Sequence, residues 1–473
     1  MATLDPPAAS RTRNPLSVYR SGIGLLLVAL VVTEGLGAWL HAESITAGGA
    51  LLMLAMLPWL LVQGSKMGRL FVAASVLGAI AVVLTQDAPV PILASALQRA
   101  AFFQAFLIAV FTLQEAAGRS ESMAKVGRFL VTQPIRKQAL LTLCGTNLMA
   151  LMMNMGSLVF IGILARDTDA DDTTGPKSER AWITALAAIR GFSPSACWSP
   201  LALPPVYLSS LVAAVSLKTT MLVGAVLSAA ILLFSVLFTA LEVRKTTLDQ
   251  PDPAPFPKRS ILRISLLLAG LFSLIFFISG QMAVSTSAAV MIIIPAASIL
   301  WLIALQGYRL RGLVSGPLKG MVLSRLPDQA AATSVITSAA FLGPIIVSLL
   351  PVPAITTLLA ASSASPSVIL SGVLVTIIAL SMVGLNPVLT CAIAAGIISQ
   401  PLNLGIEPIA LVAVLLVGWA LSAQFSPYTG TATIVSSIFG VSPVTLIFTR
   451  NRAFMLSCMA LCVATIFVTQ KVF

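Results

Sequence analysis

The chain has a single histidine, His41, and charged residues make up only 9% of its 473 positions. One histidine leaves none of the five cysteines (Cys144, Cys197, Cys391, Cys458, Cys462) a metal-ligand spacing with histidine, so these read as small buried hydrophobes. Also missing are a glycine-rich phosphate loop followed by Lys-Ser/Thr, a His-Glu-x-x-His stretch and paired carboxylates at membrane depth. These absences exclude an energy-coupling ATPase and a metallohydrolase, so the chain reads as a non-enzyme with no cofactor. The scarcity of charge excludes a soluble globular domain.

Hydrophobic residues account for 58% of the chain, and the mean hydropathy is +1.00. A crossing of about 30 Å needs roughly 20 apolar residues. Such stretches lie near 21–40, 47–63, 70–85, 92–115, 139–165, 219–243, 261–280, 284–307, 331–350, 366–384 and 453–470. Lipid forces helices on them, because the backbone must satisfy its own hydrogen bonds. Runs such as Leu25 to Val32 do not alternate, which argues against a β-barrel. The predicted fold class is therefore an all-α polytopic membrane protein with about eleven crossings. The first apolar segment has no cleavage pattern and reads as a retained helix.

The net charge of +12 would suggest nucleic acid in a soluble domain, but here the basic residues sit in short loops and report topology. A basic N-terminus, a neutral 41–46, Lys66 and Arg69, a basic-free 86–91, then Arg119, Lys125, Arg128, Arg136 and Lys137 alternate regularly. This places the N-terminus in the cytoplasm of a bacterial-type inner membrane. The acidic run 166–172 suits the outer face. The proline-rich stretch 249–257, flanked by Arg244, Lys245, Lys258 and Arg259, suits an inner linker. The organisation is thus a tail over 1–20, a first membrane repeat over 21–243, a linker over 244–260 and a second repeat over 261–473. The tract from Leu313 to Asp328 reads as an interfacial amphipathic helix.

Two Ser-Pro elements, Arg190-Gly191-Phe192-Ser193-Pro194-Ser195 and Gln424-Phe425-Ser426-Pro427-Tyr428-Thr429, stand about half a chain apart. Each follows a glycine-x-asparagine, Gly145-Thr146-Asn147 or Gly384-Leu385-Asn386. Charge parity predicts that 181–217 is a re-entrant hairpin opening outward, its first arm being Ala181 to Arg190, about 15 Å long. Gly191, Pro194, Pro200, Pro204 and Pro205 deny it a continuous helix. A second hairpin over 405–449, entering from the opposite face, would make an inverted-topology repeat, the pattern of secondary transporters. Short hydroxyl side chains at such tips satisfy freed backbone groups and leave positions for an ion or an anionic solute.

The candidate binding residues are Asn147, Arg190, Ser193, Ser195, Asn386, Ser426, Thr429 and Thr431, with Arg190 proposed to attract the anion. Arg99, Glu34 and Glu115 lie nearer segment ends, where interface placement or structural pairing is expected. The expected function is ion-coupled transport of a small anionic solute, the coupling ion being sodium or a proton. The competing reading is a membrane-embedded enzyme or assembly factor for lipid-linked envelope precursors, but the outer loops are short and poor in the arginines and histidines such proteins carry.

Over 145–162, 191–208, 384–401 and 424–443, less than a fifth of the chain, this layout resembles the ion transporter superfamily, which holds the divalent anion:sodium symporters and the arsenite and citrate permeases. The resemblance implies an elevator mechanism on a homodimeric scaffold, with a small-molecule substrate and the lipid bilayer as partners. The dicarboxylate branch carries Ser-Asn-Thr at each tip, whereas the tips here read Phe-Ser-Pro-Ser and Phe-Ser-Pro-Tyr-Thr-Gly-Thr.

Overall fold

A computed structural model describes residues 15–168, 178–248, 252–282, 284–305, 316–399 and 404–472. The N-terminal tail, most of the acidic run 166–172, the middle of the proline-rich linker, the loop with Arg309 and Arg311, and the start of the 313–328 tract lie outside these residues. Among the described residues every regular element is helical.

The first part runs α1 (Pro15–Leu40), α2 (Glu43–Ala55), α3 (Leu57–Gln63), α4 (Lys66–Thr85), α5 (Pro89–Ala117) and the amphipathic α6 (Glu121–Val131). Local chemistry sets several starts. The Ser65 side chain accepts from the Gly68 N–H at the head of α4, and proline occupies the first turn of α5, where its missing N–H is harmless.

Residues 139–165 are not one crossing. They belong to a hairpin of α7 (Ile135–Met153) and α8 (Gly156–Thr168), which pack against each other. The turn is made at Asn154, whose φ of +45° and ψ of −129° are a conformation that L residues seldom adopt. The return is visible in contacts. Gly127 of α6 faces Phe160 and Leu164 of α8, and Phe129 of α6 stacks edge-on with Phe256 of the linker. The chain therefore comes back to the linker end of the bundle.

The next segment corrects the expectation for 181–217. α9 (Glu179–Ser195) continues through Gly191 and Pro194, seventeen residues in all, because a proline in the last turn deprives the helix of only one of its final hydrogen bonds. A short break follows, then α10 (Leu203–Leu211), with Pro204 and Pro205 in its first turn. Both α9 and α10 pack along the 26-residue α11 (Leu217–Glu242), so together they form one broken span rather than a hairpin. Glu179 bonds Arg450 at 2.9 Å, Arg136 donates to the Thr246 carbonyl at 3.4 Å, and Gln133 donates to the Ala254 carbonyl at 3.1 Å. These contacts put the start of α9 at the linker end, the opposite of the outward-opening hairpin read from charge parity.

After α12 (Lys258–Gln281) and α13 (Thr286–Leu305) comes a pair bent by 50°, α14 (Pro317–Ala332) and α15 (Ser334–Leu349). α14 does not lie free on an interface. It packs on α1, where a Cβ on Gly24 would stand 1.9 Å from the Val322 carbonyl oxygen, and Arg20 pairs with Asp328 at 2.5 Å. A short α16 (Val352–Ala361) precedes the second hairpin, α17 (Pro366–Met382) and α18 (Pro387–Ile398). The stretch 366–384 is thus one arm of a hairpin, and the uncertain parity of 352–401 resolves as entry and return on one side. Its turn uses Gly384 at φ +98°. Gly384→Ala is expected to destabilise the fold by about 1 kcal/mol, because an L side chain is strained there. An unchanged melting temperature would contradict this.

The second Ser-Pro element is likewise a break in a through-going span. α19 (Pro408–Phe425) and α20 (Gly430–Phe439) together make a 32-residue crossing interrupted at 426–429, and α21 (Arg452–Val472) follows. Among the described residues eight spans have the length and apolarity of a crossing, and the bent α14–α15, taken as one span, makes nine. Segments read as hairpins thus hold a broken helix pair, α9–α10, and part of a membrane-length span, α19–α20, while the hairpins are made by segments read as crossings.

Candidate functional site

α9 and α19 run antiparallel past each other, since Ser193 pairs with the Ala420 carbonyl and the Cys197 thiol, one turn on, approaches the Leu416 carbonyl at 3.8 Å. The first break is sealed. Ser193, Ser195, Cys197 and Ser199 are buried, Ser195 donates to the Phe192 carbonyl at 2.6 Å, and the Ser199 oxygen accepts the Leu201 N–H at 3.2 Å. Gly224 of α11 lets this turn approach, since a Cβ there would meet the Cys197 carbonyl oxygen at 1.9 Å.

The second break is open. Tyr428 is 61% exposed and Thr429 half-buried. Ser426 donates to the Ser381 carbonyl of α17 at 2.5 Å, and its oxygen accepts the Tyr428 N–H at 3.2 Å. The Thr429 hydroxyl donates to the Ser426 carbonyl at 3.0 Å and lies 2.9 Å from that of Thr431, which bonds the Ala423 carbonyl. These hydroxyls cover carbonyls that the broken helix frees. The Gly384 tip of the second hairpin faces the Tyr428 ring, and Met155, beside the tip of the first hairpin, faces Gly430. Both hairpin tips therefore border the second break.

The two asparagines, equivalent in sequence, do different things. Asn147 is buried and donates to the Gly191 carbonyl at 3.0 Å, latching α7 to α9. Asn386 caps α18 by accepting the Val388 N–H at 2.9 Å. Of the eight predicted residues, the structure brings Ser426, Thr429 and Thr431 to the open break and Asn386 to the neighbouring tip. Asn147, Ser193 and Ser195 are enclosed in helix packing.

Arg190 is placed differently from the sequence reading. It neither faces the open break nor reaches an interface: it is fully buried, 2.6 Å from Glu242. It also donates to Asn451 at 2.9 Å and Thr239 at 3.1 Å, with the rings of Phe454 and Phe238 at 4.5 and 5.4 Å. Asn451 in turn donates to the Gln424 carbonyl at 2.9 Å, two residues before the second Ser-Pro. The guanidinium thus ties α9, α11, α21 and the edge of the open break together at the linker end. Glu115, by contrast, pairs with Arg325 at 3.2 Å, as the structural reading expected.

Sequence reasoning passed over Ser381, and it marked Gln424 and Ser436 as part of the second Ser-Pro stretch without counting them among the binding residues. Each is buried, and the hydroxyls of Ser381 and Ser436 and both amide atoms of Gln424 have no hydrogen-bond partner in the protein. Gln424 opens the second Ser-Pro element itself, so a buried amide beside a helix break was its available signal. Among the described residues no group of histidine, cysteine, aspartate and glutamate could hold a metal ion.

No protein-family model matches the chain, and no curated protein does. Solved structures do match in fold. The YdaH transporter of Alcanivorax borkumensis, described as having an unusual topology, aligns with a TM-score of 0.55 at 14% identity, covering 85% of this chain and 99% of that one. The chain is an all-α polytopic membrane protein. MtrF of Neisseria gonorrhoeae, described as illuminating a class of antimetabolite efflux pumps, aligns at 13% identity and a TM-score of 0.49, covering 88% and 98%. At these identities the likeness is one of fold alone.

Proposed function

We propose that the chain is a secondary transporter that moves a small anionic solute across an inner membrane, driven by a sodium or proton gradient. The observation that carries this reading is the meeting of both hairpin tips at a helix break that stays open between α19 and α20. Discontinuous helices near the bilayer midplane are where such proteins bind solute. α20 starts at the break, with the Thr429 hydroxyl accepting the Ala432 N–H, so its positive dipole end lies beside the Thr429 and Thr431 hydroxyls. Those groups suit negative charge. The fold shared with a protein described as a transporter supports the same class.

The two hairpins and two broken spans pack on one another, while α1 to α5 and α13 to α15 pack among themselves. That division suits an elevator movement of the first group along the second, with α18 of the second hairpin sliding on α15, and we assign the second group to a homodimeric scaffold. Arg190 belongs in this scheme as a positioning residue at the linker end.

The test is thermal stabilisation of purified protein across small anions, organic acids and neutral metabolites, each with sodium, with potassium and at two pH values. One class of anion is expected to stabilise it in an ion-dependent way. Ser426→Ala is expected to weaken that ligand roughly tenfold, a loss of ~1.4 kcal/mol. Ser193→Ala, at the sealed crossing, is expected to lower the melting temperature with unchanged affinity. A flat response from well-folded protein sinks the transport reading, and equal affinity losses in the two variants sink the choice of break.

A further inference from the structure

Exposed basic side chains crowd the linker end of the bundle, where α6 and the heads of α7 and α12 come together. Lys125 and Arg128 stand on α6, Arg136 in the first turn of α7, and Lys258, Arg259 and Arg263 in the first two turns of α12. α6 packs on both α7 and α12. Phe129 of α6 stacks edge-on with Phe256, just before α12, at 5.3 Å between centroids, and the Thr132 hydroxyl after α6 accepts the Ala254 N–H at 3.0 Å. The linker is thereby held so that α6 and the head of α12 share one surface. The acids on the described part of these segments are Glu121 and Asp252. Of the six basic residues only Lys125 has a carboxylate within ion-pair distance among the described residues, that of Glu121 at 2.7 Å.

Basic residues beside a membrane span report topology in the first place. Two features of α12 go further. Arg259, Leu262, Arg263 and Leu266 fall at helical spacing on one face, and all four are exposed. Of the 24 residues of this helix only Ser260, Leu271 and Ile275 are buried. A single outward-facing stripe therefore passes from charge to hydrocarbon, the profile of a phospholipid with its phosphate at Arg259 and Arg263 and its acyl chains along the leucines. In addition, the first turn of α12 carries Lys258 and Arg259 at the positive end of the helix dipole, where acidic side chains are favoured and none is present. Charges stacked in this way are stabilised by an anion.

We propose that the surface shared by α6 and α12 binds the headgroups of anionic phospholipids, with Arg259 and Arg263 of α12 and Lys125 and Arg128 of α6 supplying the charge. A cluster of about four to eight Lys or Arg beside a span or on an amphipathic helix suits such headgroups. A lipid fits better than a soluble polyanion because the exposed neighbours of these charges are apolar: Leu262, Leu266 and the Phe256 ring. The surface joins α6 and α7 to α12 across the linker, so a lipid held there ties the two parts of the chain together. It stands whether or not the chain is a transporter.

Full-length protein in detergent is mixed with phosphatidylglycerol or phosphatidylcholine, and bound lipid is followed by native mass spectrometry and by melting temperature as lipid and salt are varied. Phosphatidylglycerol is expected to bind saturably and in preference to phosphatidylcholine, whose phosphate charge is cancelled, and added salt is expected to weaken it. Arg259→Gln/Arg263→Gln is expected to weaken binding about twentyfold, about fivefold for each charge removed. Arg259→Lys/Arg263→Lys is expected to keep most of it. Lys66→Gln/Arg69→Gln removes two exposed charges at the head of α4 and is the control expected to match wild type. Equal losses in the two glutamine pairs would reveal a general attraction of basic helix ends and overturn the site. The absence of any preference for phosphatidylglycerol overturns it too, as does displacement of the lipid by soluble polyglutamate, which would assign the surface to an acidic protein. If the α12 variant does not purify folded, wild-type binding by Arg128→Gln overturns the proposal instead.

Discussion

Glu242→Gln is expected to destabilise the folded protein by about 3–5 kcal/mol, more than removal of its partner by Arg190→Met. The reason is the difference in burial. Glu242 keeps 38% of its side chain exposed, so without Arg190 its carboxylate can turn to water. Arg190 has no exposure, so without Glu242 a permanent positive charge remains inside the bundle with only the hydroxyl of Thr239, the amide of Asn451 and two phenyl faces around it. The double variant Arg190→Met/Glu242→Gln is expected to recover part of the loss, because the uncompensated charge is gone and the methionine can fill the space between the rings. Denaturation of the three purified variants in detergent, followed by melting temperature, checks the order. A Glu242→Gln effect below that of Arg190→Met would mean that the charge is neutralised by something other than Glu242. The exposed Glu179–Arg450 pair nearby is worth far less, within about 1 kcal/mol.

The second large effect concerns Gly191. A Cβ there would stand 2.0 Å from the Leu143 carbonyl oxygen of α7, and backbone cannot move aside as a side-chain end can. Gly191→Val must therefore push α9 from α7, breaking the 3.0 Å bond from Asn147 to the Gly191 carbonyl as it does so. Overpacking of this kind costs about 1–3 kcal/mol, and the lost bond from a buried amide adds about 1 kcal/mol or more. The expected result is a sharp fall in the yield of monodisperse protein. Gly270→Ala, whose Cβ would meet nothing within 4 Å, is the control expected to behave as wild type. Equal yields for the two variants would show that the α7–α9 contact tolerates separation.

Gly191 also shows how much of the site could be read from the letters. Its place in a Gly-Phe-Ser-Pro run suggested a helix break, and a break does occur, but five residues later, after Ser195. A glycine without a Cβ serves close packing as well as turning, and only the neighbouring helix reveals which. The duplicated Ser-Pro and glycine-x-asparagine marks fall at two helix breaks and beside two hairpin tips, and the Ser426, Thr429 and Thr431 hydroxyls bond carbonyls at the second break. Their assignment to hairpins was reversed. The tip of the first hairpin rests on Asn154 at a positive φ, with no proline to announce it. Arg190 carried a readable cost of burial, but its counter-ion lies 52 residues away on another helix.

Composition and hydropathy alone determined that this chain lives in a membrane, that it is helical, and that it crosses many times. Those properties are sums over windows of about 20 residues, and the bilayer imposes the same condition on each window independently. The tertiary structure decided which segments turn back, which of two similar breaks stays open, and whether each buried charge finds a partner. Such properties depend on side chains brought together from distant parts of the chain. Arg190 with Glu242, and Arg99 without a carboxylate, differ in nothing that a local window of sequence records.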